Sequence, residues 1–278
     1  MANIYAMSDI HGHYKELQNS LKLFDLKTNP CDKLIFVGDY VDNGEYSYEV
    51  LNKIMELENQ YSQQVIVLLG NHDEWLCDWL FHDYSDLASY ATGFGNETVR
   101  SFIDLNTYLK LTKNISSNLL LSFDEIASEI NGVLRNELLQ NSKYQALIKW
   151  LMKKYKEPRF YETDSQIFVH AGIDEEAEEF WQWGTPEETF TGKYPVTKGK
   201  FYKYIISGHV HSDEVAMNVD YLGKVFWDTQ SHFFIDGNTG KSGIVPVLVY
   251  DTEHKSYSSF EKSEDGTWRK IRITQEHD

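Results

Sequence analysis

Five short segments of this 278-residue chain carry side chains from which divalent-metal sites are built, and each follows an apolar run. They read Ser8-Asp9-Ile10-His11-Gly12, Gly38-Asp39-Tyr40-Val41-Asp42-Asn43-Gly44, Gly70-Asn71-His72-Asp73, Val169-His170-Ala171-Gly172 and Gly208-His209-Val210-His211. Carboxylate, imidazole and amide oxygen from several strand ends suit a pair of neighbouring cations, and such pairs do hydrolytic chemistry. One segment alone could be chance. Five in one chain, each closing a strand-like run, point to one centre.

Residues two apart on a strand face the same way, so Asp9 and His11 can address one cation. Alone, that triplet would more often be a helix N-cap. Asp39 follows an apolar run directly, and its two oxygens can bridge two ions roughly 3.5–4 Å apart. Asn71 offers a neutral amide oxygen, out of place after a hydrophobic strand unless it is a ligand. His72, its neighbour, cannot easily share that ion; an imidazole beside a two-metal centre suits a general acid that protonates a leaving alkoxide. Asp42 would orient it and hold it protonated. His170 and His209 follow apolar runs beside glycine, and His211 stands two residues beyond His209. Five of the ten histidines thus share one context. His13, His82, His254 and His277 do not, and His232, after Trp227-Asp228, is a candidate for the rim. Trp181 and Trp183 read as core or groove wall.

The elements that must position these residues are legible in the first seventy residues. Apolar runs at Ile4–Met7, Leu34–Val37 and Val65–Leu69 alternate with helical spacings at Tyr14–Phe24 (Leu17, Leu21, Phe24) and Tyr46–Leu57 (Val50, Leu51, Ile54, Leu57). A β-α-β-α-β order implies parallel strands with right-handed crossovers, and ligands sit beyond the carboxyl ends of such strands. From Trp75 to about Lys156 helical spacings dominate, with no metal-type cluster, so residues 75–156 read as a helical insertion capping one side of the site within a single domain spanning 1–278. Strand-like runs return at Gln166–Val169, Tyr204–Ser207, Val225–Trp227, Phe233–Ile235 and Ile244–Tyr250, suiting a second, mixed sheet. Ser256–Ile273 offers edge strands, and Glu276–Asp278 a frayed end.

The charge of −17 disfavours polyanions, so neither nucleic acid nor an anionic membrane is an expected partner. No stretch approaches the ~20 apolar residues of a membrane span. Cys31 and Cys77 have no paired spacing and read as two small buried hydrophobes in a reducing compartment. With no leader before the first strand, the expected location is the cytoplasm.

On these residues the chain resembles the calcineurin-like metallophosphoesterases, within them the bacterial serine/threonine phosphoprotein phosphatases. Weaker matches are Gly93-Phe94-Gly95-Asn96-Glu97-Thr98, Trp150-Leu151, Ile167 to Gly172, and Ile235-Asp236-Gly237. The resemblance implies an α/β fold, a four-layer αββα sandwich of two mixed β-sheets with the two-metal site at strand ends. It puts Asp9, His11 and Asp39 on one ion and Asp39, Asn71, His170 and His209 on the other. His72 becomes the proton donor paired with Asp42, and His211 returns to the first ion. The ions implied are two divalent cations, Mn²⁺ first, with Fe, Zn, Ni or Mg as alternatives. Two departures bear on substrate. Asn43 stands where the family carries a phosphate-gripping Arg, and Trp183-Gly184-Thr185 occupies the stretch where a second Arg follows a Trp. Arg100, Arg159, Lys193 and Lys200 are the candidate replacements. The expected activity is phosphoester hydrolysis, foremost of phosphoserine or phosphothreonine proteins. The alternatives are a symmetrical dinucleoside-polyphosphate hydrolase or a catalytically weak regulatory protein on the same scaffold.

Overall fold

The computed structural model describes residues 2–82, 89–118, 120–263 and 265–273. The chain begins β1 (Asn3–Met7), α1 (Tyr14–Leu21), β2 (Lys33–Phe36), α2 (Ser47–Gln60) and β3 (Val65–Val67). A helical stretch follows: α3 (Asn71–Phe81), α4 (Asn96–Phe102), α5 (Leu105–Ser116), α6 (Phe123–Gln140) and α7 (Gln145–Lys154). The remainder runs β4 (Phe160–Glu162), β5 (Gln166–Val169), α8 (Trp181–Gly184), α9 (Glu187–Gly192), β6 (Tyr204–Ser207), α10 (Ser212–Ala216), β7 (Phe226–Trp227), β8 (His232–Phe234), α11 (Thr239–Ser242), β9 (Leu248–Asp251), β10 (Ser256–Lys262) and β11 (Trp268–Arg272).

These strands form two mixed sheets, ordered β11-β10-β9-β1-β2-β3 and β4-β5-β6-β8-β7. Strands β1, β2 and β3 are parallel, as are β5, β6 and β8. Period-two alternation sorts their side chains into layers. Ile4 and Ala6 of β1, Ile35 of β2, Phe168 of β5 and Ile206 of β6 meet in the core between the sheets. Tyr5, Met7, Leu34 and Phe36 face the other way and pack under α1, α2 and the helices that follow β3. Ile167, Val169 and Ile205 leave the opposite side, against Trp181 and Phe190. The result is helices, sheet, sheet, helices.

Some boundaries differ from the sequence reading. The first helix stops at Leu21, with Phe24 still packed on the core. The run Ile244–Tyr250 forms a strand only from Leu248, since Pro246 has no N–H to give a ladder. That strand pairs antiparallel with β1, and so joins the first sheet instead of the second. Cys77 is buried but Cys31 is exposed, so only one is a core hydrophobe. The helical stretch is welded to the first sheet: Trp79, Val99, Leu134 and Leu151 belong to the same apolar cluster as Phe36 and Val50. Trp181 is core, whereas Trp183 is 80% exposed. Glu276–Asp278, with His277, lie outside the described residues. No described helix is long and apolar enough to cross a membrane.

Candidate metal centre

Each parallel strand hands the chain to the site at its carboxyl end. Asp9 follows β1, Asp39 follows β2, Asn71 follows β3, His170 follows β5 and His209 follows β6. Two sheets packed face to face bring these ends to a common edge. Asp9, His11, Asp39, Asp42, Asn43 and His209 all adopt positive φ, between 46° and 67°. Such conformations are costly for most side chains and gather where surrounding structure imposes them, as at active sites. The approach is close enough that side chains are excluded beside it: a Cβ on Gly70 would overlap Asp39 Oδ1, and one on Gly208 would overlap Asp9 Oδ2.

Two groups of donor atoms result. His11, Asp39 and His72 present ligand-type atoms within 4.8 Å of one another, and so do Asp39, His170 and His209. Asp39 is common to both. Its Oδ2 lies 3.5 Å from His11 Nε2 and 3.4 Å from His170 Nε2. Asn71 Oδ1 lies 3.0 Å from His170 Nε2 and 3.0 Å from His209 Nδ1. Asp9 Oδ1 is 3.9 Å from His11 Nε2, and the His209 backbone N–H donates to the Asp9 carboxylate at 3.2 Å.

The ring orientations test whether cations fit. His11 Nδ1 donates to the Val41 carbonyl at 2.8 Å and His170 Nδ1 to the Val37 carbonyl at 2.9 Å. Each neutral ring then turns a lone pair, at Nε2, toward oxygens of Asp39 and Asn71 or Asp9. Acceptor faces acceptor in a buried place, so positive charge is required between them. Carbonyl partners on the far ring nitrogen are the usual support of ligating histidines, and the N/O set suits first-row divalent ions. Without a cation, a proton meets the same demand. Burial acts against the His170 imidazolium, yet the Asp39 charge lifts its pKa to about 10. Burial acts against the Asp39 carboxylate too, and His170 nonetheless holds it well below the usual range. Asp9 is pushed well up, by burial and then by the Asp236 charge. His209 is lowered to about 4 by burial and the His170 charge.

His72, the third member of the first group, has its ring centroid 4.9 Å from that of His11. His72 Nδ1 donates to Asp42 Oδ2 at 2.8 Å. Burial disfavours the imidazolium, but this hydrogen bond and the Asp39 charge prevail and raise its pKa. Asp42 is itself anchored. Tyr90 donates to its Oδ1 at 2.9 Å and Thr98 at 2.6 Å, and its backbone N–H donates to Thr98 Oγ1 at 2.8 Å. The helical stretch therefore supplies the support of the Asp42–His72 pair as well as a flank.

His211 lies outside both groups. Its side chain is 44% exposed, with Nε2 3.8 Å from Asp236 Oδ2 and Nδ1 3.2 Å from Asn238 Nδ2. Asn43 Nδ2 is 3.4 Å from His11 Nδ1, at the rim of the first group. Arg100 is exposed on α4 two residues after Thr98, about 200° around the helix from the face that holds Asp42. Arg159 is engaged by Glu74 and by the Tyr155 and Glu157 carbonyls, and Lys193 by Glu175 and the Ile173 carbonyl. His232 is buried between Glu175 and Asp228 instead of at the rim.

Sequence reasoning gave no role to Asp73, Tyr90, Thr98 or Asp236. Asp73 was visible as a fourth polar residue after β3. Asp236 repeats the signal of Asp39, an acid closing an apolar run at the end of the parallel strand β8. It is buried and its pKa is raised, by burial in the first place, with His211 opposing. Tyr90 and Thr98 carry no spacing signal.

A family model described as calcineurin-like phosphoesterase matches residues 2–213. Among solved structures the chain is similar to a protein serine/threonine phosphatase from Saccharomyces cerevisiae with similarity to human phosphatase PP5. The TM-score is 0.51 at 12% identity, over 100% of this chain and 82% of that one. It is also similar to a mutant of a cold-active protein tyrosine phosphatase, with a TM-score of 0.51 at 14% identity over 97% and 80%. A structure described as a putative diadenosine tetraphosphatase matches with a TM-score of 0.47 at 14% identity, over 97% and 93%.

Proposed function

The chain belongs to the calcineurin-like phosphoesterase family and is a metal-dependent phosphoester hydrolase, and from its site we propose a protein phosphatase of the serine/threonine type. The observation that carries this reading is the hydrogen bond of Asp42 to His72 where two donor groups share Asp39. We assign Asp9, His11 and Asp39 to one ion and Asp39, Asn71, His170 and His209 to the other, with Mn²⁺ as the native metal. When bound, two such ions neutralise the phosphoryl oxygens and acidify water for in-line attack. The residues of the chain do the rest. Asp42 accepts the His72 Nδ1–H and so favours the imidazolium, whose other proton, on Nε2, is then free for the departing oxygen. Asn43, 3.4 Å from His11 at the first-group rim, is our candidate to meet the phosphate. A phosphoserine side chain is short and reaches such an open centre without a deep pocket. Two unpaired cysteines agree with a reducing, cytoplasmic setting.

The test is a comparison on protein reloaded with Mn²⁺ after chelation, with elemental analysis for about two ions per chain. Turnover of a phosphoserine peptide is expected, lost on chelation and regained on reloading. Turnover of diadenosine tetraphosphate with none of the peptide would replace this reading by the dinucleotide one.

A further inference from the structure

An aromatic wall rises from the proton donor. The His72 and Trp75 ring centroids are 4.6 Å apart, and those of Trp75 and Phe94 are 5.2 Å apart. Phe94 in turn stands edge-on to Tyr90 at 5.1 Å, the residue that anchors Asp42. Trp75 is 37% and Phe94 50% exposed, so both present ring surface to solvent. This placement is built in. Trp75 follows His72 by three residues on α3 and shares its face. Phe94 sits between two glycines, and a Cβ on Gly95 would run into the Tyr90 ring.

Building on the hydrolase reading above, we propose that Trp75 and Phe94 form a subsite for an aromatic leaving group, so that the site accepts aryl phosphate monoesters such as phosphotyrosine in a peptide. The group that receives the His72 proton is the leaving oxygen. Whatever carries that oxygen comes close to His72, and Trp75 is in ring contact with His72. Ring on ring at 4.5–7 Å is a favourable arrangement. The chain also has Asn43 where phosphate would be gripped by a cation. A phenol, with a pKa of about 10, leaves more readily than an alkoxide and asks less of such a cation. In the step, a water oxygen forms a bond to phosphorus and the bond from phosphorus to the phenol oxygen breaks. Its electron pair stays on the phenol oxygen, which takes the His72 proton, and the proton lost by the water passes to solvent. The products are inorganic phosphate and the free phenol.

Two readouts test this. The first is the ratio of kcat/KM for a phosphotyrosine peptide to that for the matching phosphoserine peptide, in wild type, Trp75→Leu and Phe94→Ala. The ratio is expected to fall about tenfold in each variant, through KM. An unchanged ratio overturns the subsite while leaving the hydrolase intact. The second needs no turnover: calorimetric binding of benzylphosphonate against propylphosphonate to the metal-loaded protein. Tighter binding of the benzyl compound, with the advantage lost in Trp75→Leu, supports the subsite even if neither peptide is hydrolysed. Equal binding overturns it. Adenosine 5′-phosphate binding more tightly than benzylphosphonate, with the same loss, would also overturn it, because the wall would then hold a base and not a leaving group.

Discussion

The carboxylate of Asp73 accepts the backbone N–H of Asp39 at 2.7 Å. It accepts two more, from Tyr40 at 3.0 Å and from Gly70 at 2.9 Å. One buried side chain at the start of α3 thus clamps the loop after β2 to the loop after β3. Those loops carry Asp39 and Asn71, the oxygens that meet His170. Strand ends alone would bring the two loops near each other; Asp73 fixes how they meet.

Asp73→Ala should therefore be severe. Three buried N–H groups lose their acceptor, each at about 1–3 kcal/mol and not fully additive. A loss of about 3 kcal/mol or more is expected in urea unfolding of metal-free protein, with metal content reduced on reloading. An unmoved midpoint would show that the loops are held by something else.

Tyr90 lies in the helical stretch, yet it bears on the chemistry through Asp42. Burial and the Asp42 charge push its hydroxyl well above the ordinary value, so it remains a donor across the working range. Tyr90→Phe leaves Thr98 as the remaining hydroxyl donor on Asp42 Oδ1. Support of this kind is worth about 10–100-fold, and we expect a kcat near the lower end of that loss. His72→Asn, which removes the proton itself, should cost about 10²–10⁴-fold. Both variants should keep their metal. Equal losses in the two would mean that Tyr90 acts on something other than His72.

Asn43 sits at φ 65° on the rim of the first group. Asparagine tolerates that conformation, whereas arginine pays about 1–2 kcal/mol for it. Asn43→Arg should thus lower stability by that order while raising kcat/KM toward phosphate monoesters, since a guanidinium grips phosphate bidentately. Unchanged or lower kcat/KM would mean that the rim is shaped for a substrate the longer side chain obstructs.

The ligand candidates were legible because strand ends of parallel sheets impose a local rule: an apolar run, then a polar side chain with glycine or a turn close by. Asp9, Asp39, Asn71, His170 and His209 obey it, and so does Asp236, which the sequence marked only as part of a weaker match and gave no role. The β-α-β-α-β start was legible for the same reason, since Leu34–Val37 and Val50–Leu57 differ in period. Three things were not. That β9 turns back beside β1 depends on which edge is free, which no local pattern records. Tyr90 and Thr98 reach Asp42 across 48 and 56 residues, through packing of α3, α4 and α6. The cations Arg159 and Lys193 looked available in sequence because their partners, Glu74 and Glu175, are neighbours only in space.

That last pair gives a prediction with a sign. Glu175 accepts Lys193 Nζ at 2.9 Å and faces His232 Nε2 at 3.2 Å, while His232 Nδ1 faces Asp228 Oδ2 at 3.1 Å. The cluster holds Lys193, directly after α9, and within α9 the Phe190 carbonyl accepts the Ala171 N–H at 2.8 Å next to His170. Burial alone would raise the Glu175 pKa, but the hydrogen bonds from His232 and Lys193 bring it below its ordinary value of 4.5. A carboxylate whose pKa is lower folded than unfolded adds stability above the unfolded value, and that contribution fades as pH falls through the folded one. Glu175→Gln keeps the shape and removes the charge. Its urea midpoint should fall below that of the wild type near neutrality, and the gap should close as the pH drops below about 4.5. A gap that stays constant over that range would assign the cluster's contribution to packing instead of charge.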